Sequence, residues 1–422
     1  MSQPQTHILL VTYSFPPNAD VGSRRWAKLA KYLGRKKIIV HVLTVGKQRV
    51  EGPVVQDGNP NIWLHYVKEN YPVEFYKQPK NIGDKLWRKI VLFFLKIAIK
   101  GTPYDRGAFM EKQIIAKSRE LIERYAIKNV IATGAPFSFL RYAVKLKSLN
   151  NVNVICDLRD PWMDGEVYGY GGLSAKRKRV EYAYEREVMC NADWILTPAQ
   201  KMTDRLVKVY GAQTNPKKFQ VLHHAFDRDE FGETGSVERL PGRVMIITGG
   251  TIDLLHIREV AEPFFQGIHQ LKETDPELYK KVHVHFYGSS LKLQPVLKEL
   301  DLPGVTFLKK TTPHVFFQNL RSADFLLVLL PEYVKDYFIT KIGEYLALHI
   351  PLMLVSYKGV VSDFVKANGL GTFLDVESAG MQKELHNALK AVVKGQYTFN
   401  SGFDANVFSA EKAVEQLESY FV

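Results

Sequence analysis

The sequence predicts an α/β protein made of two doubly wound, Rossmann-like domains facing each other across a cleft. Three observations predict it. Short runs of β-branched residues and leucine recur without polar alternation, as parallel strands covered on both faces require. Segments of helical periodicity separate these runs, which is the grammar of right-handed βαβ units. The rhythm runs through once, pauses at a charged, glycine-bearing stretch near Ala225 to Pro241, and then starts again. A chain of 422 residues is too long for one ordinary core, and 46% hydrophobic content is ample for two.

The first domain, residues 1–225, opens with a strand (His7 to Thr12), a loop (Tyr13 to Val21), a helix (Gly22 to Leu33) and a strand (Ile38 to Leu43). Strand Asn129 to Ala132, helix Pro136 to Lys147 and strand Val152 to Asp157 resume the alternation. Strand Trp194 to Thr197, helix Ala199 to Tyr210 and strand Phe219 to Leu222 close it. Residues 68–110 stand outside the rhythm as a basic helical insert. The second domain, 226–400, runs from strand Val244 to Thr248 through a glycine loop to a helix around Arg258 to Leu271. Strand Val282 to Tyr287, helix Leu293 to Leu300, strand Val305 to Leu308 and helix Pro313 to Leu320 follow. Strand Phe325 to Leu330, a helix near Thr340 to Leu348, strand Leu352 to Val355 and helix Val360 to Lys366 complete it. A last helix, Ala410 to Tyr420 within 401–422, can pack back on the first domain.

Composition narrows the class. Cys156 and Cys190 offer neither a disulfide framework nor metal-ligand spacing. The first apolar run, Ile8 to Val11, breaks at Pro16-Pro17 and suits a buried strand rather than a signal segment. The longest apolar stretch, Ile90 to Ile99, is interrupted by Lys96 and falls short of the ~20 residues that span a bilayer. A cytoplasmic protein, soluble or peripheral on the inner face of the membrane, is expected. A net charge of +13 and a pI near 9.3 predict attraction to polyanions. Without helix-turn-helix spacing, a zinc finger or an RNP pattern, nucleic acid is not the expected partner.

In open α/β sheets, ligands bind beyond the carboxyl ends of the strands. Four loops at such ends carry chemistry. Ser14 to Arg25 is a proline-stiffened loop ending in Gly22-Ser23-Arg24 at a helix start, where backbone amides can receive an anion or a sugar hydroxyl. Asp157-Leu158-Arg159-Asp160 sets acids and a base at a strand end, able to orient a hydroxyl or neutralise a phosphate, or simply to pin the loop. Gly249-Gly250 lets a diphosphate approach the backbone, with Arg258 on the helix beyond as a cation; Gly288 is a weaker instance. Asp336 precedes a helix start near Thr340 and Lys341, and Glu344 lies inside that helix, where a carboxylate can hold a ribose diol. Asp227-Arg228-Asp229, in the expected linker, reads as solvated charge rather than a metal site.

In their order these elements resemble the GT-B glycosyltransferases, in particular the retaining group called family 4. ILLVTYSFPP…GSRRWAKLAKYL is similar to that group's amino-terminal strand–loop–helix. SADFLLVLLPEYVKDYFITKIGEYLALHIPLMLV is similar to its donor-binding segment. The resemblance implies a hexosyltransferase-type enzyme that moves a sugar from a nucleotide-diphosphate sugar to a glycan or lipid-linked acceptor. It implies retention, no metal and no further cofactor, with a role in cell-surface polysaccharide synthesis. Glu344 would bind the donor ribose and Asp336 the donor sugar, with Arg159 and Asp160 where the group often has a histidine. Gly249, Gly250, Arg258, Gly288, Thr340 and Lys341 complete the implied donor site, and Gly22, Ser23 and Arg24 the acceptor loop. Two other readings are a nucleotide-sugar 2-epimerase of the same fold and a non-catalytic polyanion- or membrane-binding module.

The insert carries KLWRKIVLFFLKIAIK over Lys85 to Lys100. At helical spacing Lys85, Arg88, Lys89, Lys96 and Lys100 share one face, opposite Trp87, Ile90, Val91, Phe94, Ile97 and Ala98. That is the pattern of a helix lying on anionic lipid, and equally of a core-packed helix with a solvated basic face. Burial of Trp87 and Phe94 would decide for the second.

Overall fold

The computed structural model describes residues 5–17, 21–46, 52–53, 59–72, 79–163, 171–232, 242–250, 254–288, 300–397 and 399–422. Of the helix expected over Leu293 to Leu300, residues 293–299 lie outside these residues, as do Asn18 to Asp20 of the first loop and most of the expected linker. The chain divides into two compact units: 1–223 together with 410–422, and 224–409.

The first unit is built on a sheet ordered β3-β4-β2-β1-β5-β6-β7-β8. Here β1 is His7–Val11, β2 Ile39–Val45, β3 Gly52–Pro53, β4 Ile62–Val67, β5 Asn129–Gly134, β6 Asn153–Leu158, β7 Trp194–Thr197 and β8 Phe219–Val221. All neighbours pair in parallel except the two-residue edge strand β3. Strands β1, β2, β5 and β6 are buried almost throughout, which explains their largely apolar character. Helices α1 (Val21–Arg35), α2 (Ile82–Ala98), α3 (Glu111–Tyr125), α4 (Ser138–Asn150), α5 (Ala175–Asn191) and α6 (Gln200–Tyr210) belong to this unit. The terminal helix Ala410–Glu418 returns to it: Gln416 Nε2 donates to the Val221 carbonyl at 2.7 Å, and the Tyr420 ring lies 4.5 Å from that of Trp194.

The second unit is a six-stranded parallel sheet ordered β11-β10-β9-β12-β13-β14. Its strands are β9 Val244–Gly249, β10 Val282–Tyr287, β11 Val305–Leu308, β12 Phe325–Leu330, β13 Leu352–Ser356 and β14 Gly371–Asp375. Two apolar clusters cover its faces. One holds Phe264, Phe265, Val284 and Phe325; the other holds Leu326, Val328, Tyr345 and Leu354. The sequence reading placed no element on α5, β4 or β14. It also took Asp227 as solvated, whereas Asp227 is 4% exposed and its Oδ1 accepts from the Asp229 amide at 3.0 Å. That carboxylate caps a short 3-10 turn, Arg228–Phe231, instead of facing water.

Candidate functional site

Each unit reverses its strand order beside its first strand, and such a switch point is where an open sheet leaves a crevice. In the second unit the reversal falls at β9, whose carboxyl end is Gly249. The Gly249 amide donates to the hydroxyl of Tyr345 at 3.2 Å. Tyr345 is fully buried on the helix Thr340–Leu346, and burial pushes its phenol up; it also shares a side-chain hydrogen bond with Thr248. Gly250 follows at φ +113 and donates its amide to the Tyr287 carbonyl at 2.8 Å. Gly288, at the end of β10 with φ +143, packs so closely on it that a Cβ there would lie 2.1 Å from the Gly250 carbonyl oxygen. The two glycine turns therefore meet with no side chain between them, and their amides are held internally, that of Gly288 by the Leu308 carbonyl at 3.0 Å.

Lys341 supplies charge at this point. Its ammonium lies 3.6 Å from where a Cβ of Gly250 would stand. Burial pushes it down to about 8, while the nearby carboxylate of Glu344 pulls it back up. Glu344 is itself only 6% exposed. Gly249, Gly250, Gly288, Lys341 and Glu344 are thus gathered within one region, at the start of a seven-residue helix whose first residue is Thr340. Arg258 is not brought there by any described contact: its side chain is 67% exposed and pairs with Glu262 at 2.5 Å, one turn along its own helix. Asp336 is half-buried, and its Oδ1 accepts from the Val360 amide at 2.9 Å, so one oxygen holds the start of the helix Val360–Ala367.

In the first unit the reversal lies between β1 and β5. Arg159, after β6, rests on Gly22 at the start of α1; a Cβ on Gly22 would lie 2.1 Å from the guanidinium. Arg159 also donates to the Ala135 carbonyl at 3.0 Å and to Asp160 Oδ2 at 3.3 Å. The guanidinium thus lies beside the positive end of a helix, with the Asp160 carboxylate balancing part of its charge. Ser23 is buried and Arg24 exposed. Asp157 takes no part in this: buried completely, it accepts from Arg25 Nε and Nη2 at 3.0 and 2.9 Å, from Trp26 Nε1 at 2.7 Å and from Thr133 Oγ1 at 3.1 Å. Arg25 continues to the carbonyls of Leu222 and His223 at 2.8 and 3.0 Å, tying α1 to β6 and to the end of β8.

Two residues that shape these strand ends were missed by sequence reasoning. Tyr345 carries no motif signal, since its hydroxyl matters only because β9 ends beside it. Arg25 sits one position past the acceptor-loop residues but turns inward.

No protein-family model matches the sequence, and no curated protein sequence matches it. Solved structures match over nearly the whole chain. A sucrose-phosphate synthase from Thermosynechococcus elongatus is 14% identical with a TM-score of 0.64, over 98% of each chain. The E. coli trehalose-6-phosphate structure bound with UDP-2-fluoro glucose is 13% identical with a TM-score of 0.64, again over 98% of each. HepE from Anabaena, in complex with UDP-glucose, is 11% identical with a TM-score of 0.59 over 98% of each. At these identities the likeness shows the fold, that of the GT-B glycosyltransferases.

Proposed function

We propose that the chain is a cytoplasmic glycosyltransferase of hexosyltransferase type, using a nucleotide-diphosphate sugar as donor and a glycan or lipid-linked acceptor. The observation that carries this is the convergence of Gly250, Gly288 and Lys341 at the switch point of the second unit, with Glu344 behind them. A turn cleared of side chains and a half-buried cation suit a diphosphate; the carboxylate of Glu344 suits a ribose diol. Likeness to structures holding UDP-glucose and UDP-2-fluoro glucose supports the same chemistry.

In this reading the leaving diphosphate is stabilised by Lys341 and the amides at the start of the helix Thr340–Leu346, so transfer proceeds without a divalent metal. Asp227 of the DxD-like triplet is already engaged as a cap, which supports that reading. Asp336, placed by its bond to the Val360 amide, serves the donor sugar, and Arg159 with Asp160 serves the acceptor side. Retention of anomeric configuration and a role in cell-surface polysaccharide synthesis rest on the family-4 resemblance. The test is a thermal-shift screen against nucleotide diphosphates and their sugars, followed by transfer assays in EDTA. A ligand at 100 times its dissociation constant stabilises by about 2.7 kcal/mol. Expected are stabilisation by one nucleotide class, transfer that survives EDTA, and a retained anomer by NMR. Release of free epimer without any acceptor would instead mark an epimerase.

A further inference from the structure

The helix α2 presents outward what a folded chain ordinarily hides. Leu86, Trp87, Phe93, Phe94 and Ile97 are each more than half exposed, and Ile90 is 40% exposed. At 100° per residue these six fall within one arc of the helix. Monomeric proteins rarely leave so continuous an apolar face in water unless something covers it. Trp87 and Phe94, whose burial would have marked a core helix, stand 56% and 62% exposed.

The helix is held firmly by its other side. Leu95 and Ile99 are buried with Tyr71, and Val91 and Leu92 pack against them. The Tyr71 hydroxyl donates to the Pro103 carbonyl at 2.5 Å. At the amino end Asn81 accepts from the Asp84 amide at 2.8 Å, and Asp84 from the Lys80 amide at 2.7 Å. At the carboxyl end Arg177 of α5 donates to the carbonyls of Lys96, Ile99 and Gly101, a cation on the negative pole of the helix. The exposed arc is therefore fixed in place.

Charge says what covers it. Lys85, Lys89 and Lys96, all exposed, line one border of the apolar arc. The expected single basic face is divided: Arg88 is half-buried, Val91 turns inward, and Lys100 lies past the helix end. Arg177 instead brings α5 alongside, and within a turn of it Lys176 and Arg179 are exposed, continuing the cationic border. A second copy of this chain on the same face would set like charges together. An anionic bilayer takes aromatic and aliphatic side chains at its interface and attracts the lysines around them.

We infer that the exposed face of α2, bordered by Lys85, Lys89, Lys96 and the start of α5, docks the protein flat on an anionic lipid surface. Among the described residues no helix is long and apolar enough to cross a membrane, so the mode is lying on, not spanning. The inference stands on this surface alone, and its failure would leave the donor chemistry intact.

The test is co-sedimentation of the full chain with phosphatidylglycerol–phosphatidylcholine vesicles and with pure phosphatidylcholine vesicles, at low and high salt. Binding should favour the anionic vesicles and weaken with salt, because screening shortens the attraction to ~8 Å at physiological ionic strength. Each basic residue near such a surface is worth about fivefold in partitioning, so replacing Lys85, Lys89 and Lys96 with glutamine should cost on the order of a hundredfold. Phe93→Ser with Phe94→Ser should abolish binding, and since both side chains are exposed the fold should stay intact by circular dichroism. Vesicles should blue-shift tryptophan emission in the wild type and not in Trp87→Phe. A folded wild type that ignores anionic vesicles would overturn the inference. So would vesicle binding that survives the Phe93/Phe94 substitutions, or a dimer in sedimentation velocity that those substitutions dissolve.

Discussion

Lys341 and Glu344 lie within one turn of a helix, and in the proposed donor site they answer different parts of a nucleotide. Burial holds the Lys341 ammonium down to about 8, below the ordinary lysine range. The unfolded chain keeps its proton to higher pH, so stability contributed at this position rises as pH climbs from about 8 toward the ordinary lysine value. A bound diphosphate reverses the preference, because it favours the charged form. Nucleotide affinity should therefore fall as pH rises above about 8, and binding near that pH should draw in a proton. Calorimetry in two buffers of different ionisation enthalpy would measure the uptake, which Lys341→Met should remove; equal heats in the wild type would show that Lys341 does not meet the phosphates. For Glu344→Ala, loss of charge-assisted hydrogen bonds to a ribose should weaken nucleotide binding by roughly 1.5–3 kcal/mol in a protein that still folds. Unchanged affinity would displace the ribose from this carboxylate.

Elements set where such residues can meet, and the contact of the β9 and β10 ends is the tightest case. A Cβ at Gly288 meets the Gly250 carbonyl at 2.1 Å, and its φ of +143 is one that side chains rarely adopt. Backbone cannot swing aside as a side-chain tip can, so Gly288→Ala should cost more than ~1–3 kcal/mol of stability and weaken nucleotide binding further. A variant with wild-type melting temperature and affinity would deny the close approach. This pair also shows what was legible in sequence. Gly249-Gly250, Gly288, Lys341 and Glu344 could be read because buried parallel strands announce themselves, and their ends locate loops. Helix α5 could not, because it buries Glu181 and Glu185 where periodicity expects apolar residues. Glu181 accepts from the Thr102 amide and Trp162 Nε1, and burial pushes it up to about 6; Glu185 accepts from Tyr210 at 2.6 Å. The Arg25–Asp157 pair was equally hidden, since its partners are brought together only when β6 forms beside α1. Arg258 stands apart from this group, a charge at the right sequence distance whose described partner is Glu262 on its own helix.

At the scale of the whole molecule, the two units differ in how the chain closes them. The second is one continuous segment, 224–409, entered and left side by side: the Phe226 amide donates to the Phe408 carbonyl at 2.9 Å, and Phe226 bridges Ser409. The first is completed only by the last residues of the chain. There Asn153 Nδ2 donates to the Tyr420 carbonyl at 2.8 Å, and Asn129 Oδ1 accepts from the Val422 amide at 3.1 Å. Each has its own core, so each should unfold as its own cooperative body. A fragment of residues 224–409 should fold alone and be stabilised by the nucleotide that stabilises the full chain, by about 2.7 kcal/mol at 100 times its dissociation constant. Deleting 410–422 should lower only the melting transition of the first unit, which loses a helix and a carbonyl partner for β6. In the full chain, nucleotide should therefore move one of two calorimetric transitions, and the deletion should move the other. If the fragment folds and binds no nucleotide, the donor chemistry cannot reside in Gly250, Gly288, Lys341 and Glu344 alone, and residues of the first unit must take part in holding the donor.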